Sequence, residues 1–242
     1  MESGLYVALS GQIAMQRRLE TLAHNVANAS TPGFRAEEIK FEALLSPVST
    51  GTNFSSTGDN YISRRPGAVE HTGNPLDVAI DGNAWMSFRT AGGANAYTRD
   101  GRLVMNELGE LQTVSGYPVL DIGGAPIQLD PAAGPPKIAH DGMITQNGVQ
   151  IGAIGLFTIP ESTKLNRFDN SGVTAEGPVE PALEFTSVGL RQGYLERANV
   201  NPVVEITQLI TISRAFESLQ NSVDQTDSTF RKAIDTLGEP SR

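Results

Sequence analysis

The sequence predicts an α+β protein in which long N- and C-terminal coiled-coil-type helices flank an inserted antiparallel β-rich domain. Three observations carry that expectation. A seven-residue apolar repeat runs through residues 201–237, a second runs through residues 5–28, and between 72 and 188 the pattern changes to short strand-like runs separated by Asp-Gly and Gly-Gly pairs. Four segments follow: 1–34 as an N-terminal helix, 35–71 as an extended segment and linker, 72–188 as an antiparallel β domain, and 189–242 as a C-terminal segment and helix.

In the first segment Leu5, Gln12, Leu19 and Val26 repeat every seven residues. Ala8, Met15 and Leu22 follow three residues later, and Leu9 and Ala23 widen the face. Alternating steps of three and four keep these side chains on one side of a helix, so the stripe needs a partner to cover it. Gly11 costs about 1 kcal/mol relative to alanine in a helix interior, and Gln12 interrupts the seam, so the first half is weak alone. The helix is closed by Asn25, Asn28, Thr31, Pro32, Gly33 and Phe34. Asparagine tolerates the left-handed conformation, proline blocks continuation, and glycine permits a sharp reversal ahead of an aromatic anchor.

Residues 36–45 are expected to continue as a short helix, and 46–60, rich in Ser, Thr, Gly and Pro, reads as a linker. Strands are expected at 85–90, 96–99, 102–105, 110–114 and 117–120, with more near 127–129, 138–139, 143–145 and 151–159. Asp100-Gly101 and Gly92-Gly93 are among the pairs that supply the tight turns between them.

The last segment begins with Asn201 as a helix cap, Pro202 in the first turn where its missing donor is harmless, and Glu205 near the positive end of the dipole. Leu209, Phe216, Val223, Phe230 and Leu237 occupy one seam position, with Ile212, Leu219, Thr226 and Ala233 at its partner. At 1.5 Å per residue the helix would be about 54 Å long, more than a small domain needs. Ala215, Ser222 and Thr229 leave one flank of the seam small, which favours a crowded multi-helix tube over a two-stranded zipper.

Bulk properties narrow the function classes. The 242 residues carry 18 basic and 27 acidic side chains, a net charge of −9, which argues against a nucleic-acid partner held through phosphates. Without cysteine there is neither a disulfide framework nor a thiolate metal site. The start, Met1-Glu2-Ser3-Gly4, lacks the basic and apolar regions of a secretory signal, and membrane insertion is not expected because no apolar run approaches bilayer length.

No chemistry stands out. Asp-Gly pairs at Asp81, Asp100 and Asp141 lack calcium-loop spacing and read as turns. His24, His71 and His140 have no second ligand at helical spacing, and Ser10, Ser115 and Ser171 sit in no nucleophile elbow. Neither a cofactor nor an enzymatic activity is expected.

The helix end Asn25, Asn28, Thr31, Gly33 and Phe34 resembles the N-terminal signature of flagellar rod and hook proteins. The run 193–205, with Asn199 and Asn201, is similar to the segment leading into their C-terminal helix, and residues 73–82 and 96–101 resemble their core. His24 stands where the family usually has asparagine, and Ala84, Trp85 and Met86 replace its usual glycine and phenylalanines. The opening, residues 4–23, resembles the proximal rod member. The resemblance implies a structural subunit of the basal-body rod, in a helical assembly with copies of itself and other rod proteins. Leu5, Leu9, Leu19, Leu22, Val26, Leu209, Ile212, Phe216, Leu219, Val223, Phe230 and Leu237 would then be its assembly positions. It also implies export through the flagellar type III apparatus without a cleavable signal, to a rod that crosses the periplasm. The alternatives are a distal rod or hook subunit, or another secreted coiled-coil protein with a β-rich, adhesin-like head.

Overall fold

A computed structural model describes residues 2–40, 43–45, 53–55 and 59–238, and these form two helices and a series of short antiparallel strands. Helix α1 spans Glu2–Ala27 and helix α2 spans Pro202–Gly238. The fold divides into two units. One draws on Met1–Ala27, Glu37–Asn60 and Asn201–Arg242, the other on Asn28–Ala36 and Tyr61–Val200.

The expected α+β frame is corrected here. Apart from the two helices, the regular structure of the described residues is antiparallel β, so the fold is mostly β and is not organised as a β insertion between coiled-coil helices. The reason lies in what covers α1. Among its described side chains the buried ones are Ala14, Thr21, Leu22 and Asn25, of which Leu22 alone is a heptad position. Thr21 donates its hydroxyl to the Arg17 carbonyl at 3.0 Å, and α1 packs against strands Glu37–Lys40 and Asn53–Ser55 as well as against α2. A coiled-coil seam requires apolar knobs at successive inward positions. Two of these four buried side chains are polar, and strands share the work of covering them.

The short helix expected at 36–45 is also overturned. Glu37–Lys40 and Ala43–Leu45 are strands, the second pairing with Asn53–Ser55. The Asn25 amide engages both the N–H and the carbonyl of Glu37, which holds that backbone extended. Residues 41–42, 46–52 and 56–58 lie outside the described residues.

The second unit is built on a six-stranded antiparallel sheet. From edge to edge it runs Lys164–Phe168, Gly172–Glu176, Asn95–Thr98, Trp85–Arg89, Leu156–Thr158 and Glu180–Pro181. Successive side chains of a strand point to opposite faces. Met86 therefore joins the larger apolar cluster with Val78, Ile80, Leu111, Ile144 and Leu156, while Trp85 joins a smaller one with Ile62, Ile159, Leu165 and Val173. Each fully buried large side chain of this kind contributes about 1.5–3 kcal/mol relative to exposure.

Smaller ladders complete the unit. Gly189–Gln192 pairs with Val78–Asp81, Tyr194–Glu196 with Val69–His71, and Met143–Gln146 lies between Lys137–Ile138 and Val149–Ala153. The turn joining the last pair is Asn147-Gly148, both at positive φ, as a tight two-residue hairpin requires. Of the expected strands, Trp85–Arg89, Asn95–Thr98, Leu103–Met105 and Leu111–Thr113 form, whereas 117–120 makes only isolated bridges. The hairpin of Lys164–Phe168 and Gly172–Glu176 was not expected, since Asp169 rather than glycine takes the positive φ at its turn.

Candidate functional site

The motif residues after α1 fold into the second unit, where they meet the segment that leads to the C-terminal helix. Thr31 donates its N–H to the Asn28 carbonyl at 3.0 Å and its hydroxyl to Asn28 Oδ1 at 3.3 Å, forming the turn. Gly33 follows at φ +67°, and a Cβ there would lie 2.1 Å from the Asp100 nitrogen, so only glycine fits. Its N–H reaches the Glu196 carbonyl at 2.8 Å. Phe34 is completely buried, with the Arg167 guanidinium 4.5 Å over its ring.

Asn199 closes the junction from the other side. Its Oδ1 accepts the Ala36 N–H at 2.7 Å, its Nδ2 donates to the Arg65 carbonyl at 2.8 Å, and its backbone N–H reaches the Phe34 carbonyl at 3.3 Å. One side chain thus ties three stretches of chain that are distant in sequence.

Beneath this lies a buried charge cluster. Glu196 accepts Arg35 at 2.7 Å on Oε1 and Arg99 at 2.6 Å on Oε2, with all three side chains almost wholly buried. Oε1 also takes the Gly67 N–H at 2.8 Å. Arg99 spends its remaining donors on carbonyls, reaching Ile80 at 2.7 Å and Gly82 at 3.0 Å, while Arg35 reaches the Arg64 carbonyl at 3.3 Å. Burial, then the like charge of Arg99, pulls Arg35 down to about 10 against the opposing pull of Glu196. It remains charged at neutral pH. Glu196 is saturated by fixed donors, so the cluster is suited to clamping backbone rather than to moving protons.

In the first unit Asn25 is buried and exchanges two hydrogen bonds with the Glu37 backbone, both at 2.9 Å, and its Nδ2 lies 3.4 Å from Glu205 Oε2. Asn201 caps α2, its Oδ1 accepting the N–H groups of Val203 at 3.1 Å and Val204 at 3.4 Å.

The assembly positions divide. Leu22 is buried, Leu19 and Val26 are half-buried, and Leu9 is exposed. On α2, Leu209, Ile212, Phe216, Leu219 and Val223 are half-buried along one side. Leu5, Phe230 and Leu237 belong to the helices, but their side chains lie outside the described residues. The structure brings Gly33, Phe34 and Asn199 together in one unit, and Asn25 with the first turn of α2 in the other. Arg35, Arg99 and Glu196 were missed as a site, because buried charges read in a sequence as surface charges. The one available signal was Arg35 directly following Gly33-Phe34.

Among the described residues no group of three or more His, Cys, Asp or Glu side chains could hold a metal ion, and no helix is long and apolar enough to cross a membrane.

The junction and the helices at either end of the chain coincide with three family models. Residues 5–35 match the flagella basal body rod protein model, 79–146 the D1 domain of the flagellar hook protein FlgE/F/G model, and 191–236 the C-terminal model of the flagellar basal body rod FlgEFG proteins. The chain belongs to the flagellar basal-body rod protein family. Its similarity to individual members runs end to end. It is 48% identical to the flagellar basal-body rod protein FlgF of Mesorhizobium japonicum over the whole of both chains. The FlgF proteins of Rhizobium meliloti, 48% identical over 98% of this chain and 99% of that one, and of Caulobacter vibrioides, 36% over 99% of each, are similar over comparable lengths.

Proposed function

We propose that this chain is a non-enzymatic structural subunit of the proximal part of the flagellar basal-body rod, where it transmits torque passively. The similarity to FlgF proteins along the full chain carries the reading. The geometry supports it. A buried Arg35–Glu196–Arg99 cluster fixes the peptide after the N-terminal helix to the peptide before the C-terminal one, which is what a load-bearing part requires and a catalyst does not.

The partners are other rod subunits, contacted through α1 and α2, and the flagellar type III export apparatus, which reads information in the N-terminal region. The test is to delete the gene and image purified basal bodies. A rod that stops short, restored by the wild-type gene, is the expected result. A complete rod in motile cells overturns the reading, and a complete rod lacking only the hook moves the subunit outward. Export of a fusion lacking residues 1–40 would refute the N-terminal placement of the export information.

A further inference from the structure

A cleft of about 300 Å³ opens in the second unit against Phe88, lined in part by the turn at Asp169 and the segment around Ser115. One side of it is aromatic. Phe88 and Tyr117 stack with ring centroids 5.4 Å apart, and Phe168 lies 5.8 Å from the first and 5.7 Å from the second. Phe88 is buried and Tyr117 half-buried, so the Tyr117 ring is the part a ligand can reach. Thr113 donates its N–H to the Tyr117 carbonyl at 2.8 Å and takes the Tyr117 N–H on its hydroxyl at 3.2 Å, which fixes the backbone that carries the ring.

The remaining walls are polar. Arg102 places Nε and Nη2 on Asp100 at 3.0 and 2.6 Å, so these two charges answer each other. Asp169 accepts the Ser115 hydroxyl on Oδ2 at 3.0 Å, which ties together two of the segments that bound the cleft. Asp169 Oδ1, the Tyr117 hydroxyl and the Asn170 side-chain amide are uncommitted among the described residues.

This lining selects among ligands by chemistry. One arginine against two aspartates leaves a net charge of −1, which disfavours carboxylates and phosphates. An apolar side chain inserted there would desolvate Asp169 and Asn170 without giving them partners. A neutral ring with one face of C–H groups and a rim of hydroxyls matches both the aromatic side and the polar walls. The volume stands at the lower end of ligand pockets, roughly 300–1,000 Å³, so it admits one such ring rather than a long chain.

We propose that this cleft binds a neutral saccharide, with one ring lying on Tyr117 and its hydroxyls bonded to Asp169 Oδ1 and the Asn170 amide. The site goes beyond the rod reading and does not depend on it, because it lies wholly within the second unit and uses neither helix.

The test is an NMR titration of the isotope-labelled full chain with maltotriose, cellotriose and tri-N-acetylchitotriose, with trilysine as the cationic alternative for Asp169. The expected result is a saturable shift of the Ser115, Asn170 and Ser171 amides with at least one of the three sugars and none with trilysine. Tyr117→Ala should weaken that binding about tenfold through the lost ring face. Asp169→Asn should weaken it by about the same factor, since it removes a charged acceptor. Asparagine tolerates the φ of +52° at that turn, so this second variant keeps the fold and decides the matter if Tyr117→Ala does not fold. No saturable shift with any of the three sugars, a trilysine shift at the same amides, or unchanged affinity in Asp169→Asn overturns the proposal.

Discussion

The Glu196 carboxylate and the Arg99 guanidinium meet at 2.6 Å with both side chains almost fully out of water, and Arg35 takes the other carboxylate oxygen. Desolvating three charges is costly, and the cost is offset by the donors on both Glu196 oxygens and by the carbonyls that Arg99 and Arg35 reach, with Arg35 Nε left buried and unbonded. Removing the shared partner leaves two buried cations facing each other. Glu196→Ala is expected to destabilise the second unit by about 3–5 kcal/mol, read from urea unfolding, with Glu196→Gln falling in between. Wild-type stability in Glu196→Ala would show that the cluster is not a clamp.

Gly33 is the backbone hinge above it. At φ +67° and with the Asp100 nitrogen 2.1 Å from any Cβ, Gly33→Ala must move the Thr31–Phe34 turn off residues 99 and 100. The expected loss exceeds about 1 kcal/mol, the ordinary cost of alanine in a left-handed site. A thermal melt compares it with Gly93→Ala, which has positive φ and open space around it. Equal losses would mean that the close approach carries no weight.

Asn25 stands in for a strand partner by donating to and accepting from Glu37 at 2.9 Å. Asn25→Ala strands a buried N–H and a carbonyl, at about 1–3 kcal/mol for an unsatisfied group. Faster hydrogen exchange at the Glu37 amide is the local readout. Unchanged protection there would place the hold on strand Glu37–Lys40 elsewhere.

Acid titration isolates one surface pair. Glu70 is held below its ordinary 4.5 by the hydrogen bond from Arg197 and then by that guanidinium's charge. A carboxylate that binds its proton less readily when folded contributes stability above 4.5, and loses it as pH falls through the depressed folded value. Both side chains are exposed, so the effect on stability is small. Arg197→Gln should move the Glu70 carboxyl titration upward in an NMR pH series. A titration that stays in place would mean that the pair is open in solution.

Local chemistry was legible from the residues. Asn201 and Pro202 marked the start of α2, Thr31 through Phe34 marked the reversal after α1, and Gly-containing turns located Trp85–Arg89 and Asn95–Thr98, because caps and tight turns depend on neighbours in the chain. Repeats of seven at Leu19 and Val26 established that a helix has a face to cover, yet a repeat does not distinguish a helical partner from a strand. Only the tertiary structure set Thr21 and Asn25 inside, where Asn25 satisfies the backbone of a strand and Thr21 bonds back to its own helix. The same holds for Arg35, Arg99 and Glu196. Their attraction acts through space across stretches far apart in sequence, and a charged side chain declares itself buried only when folding has brought its partners within hydrogen-bond reach.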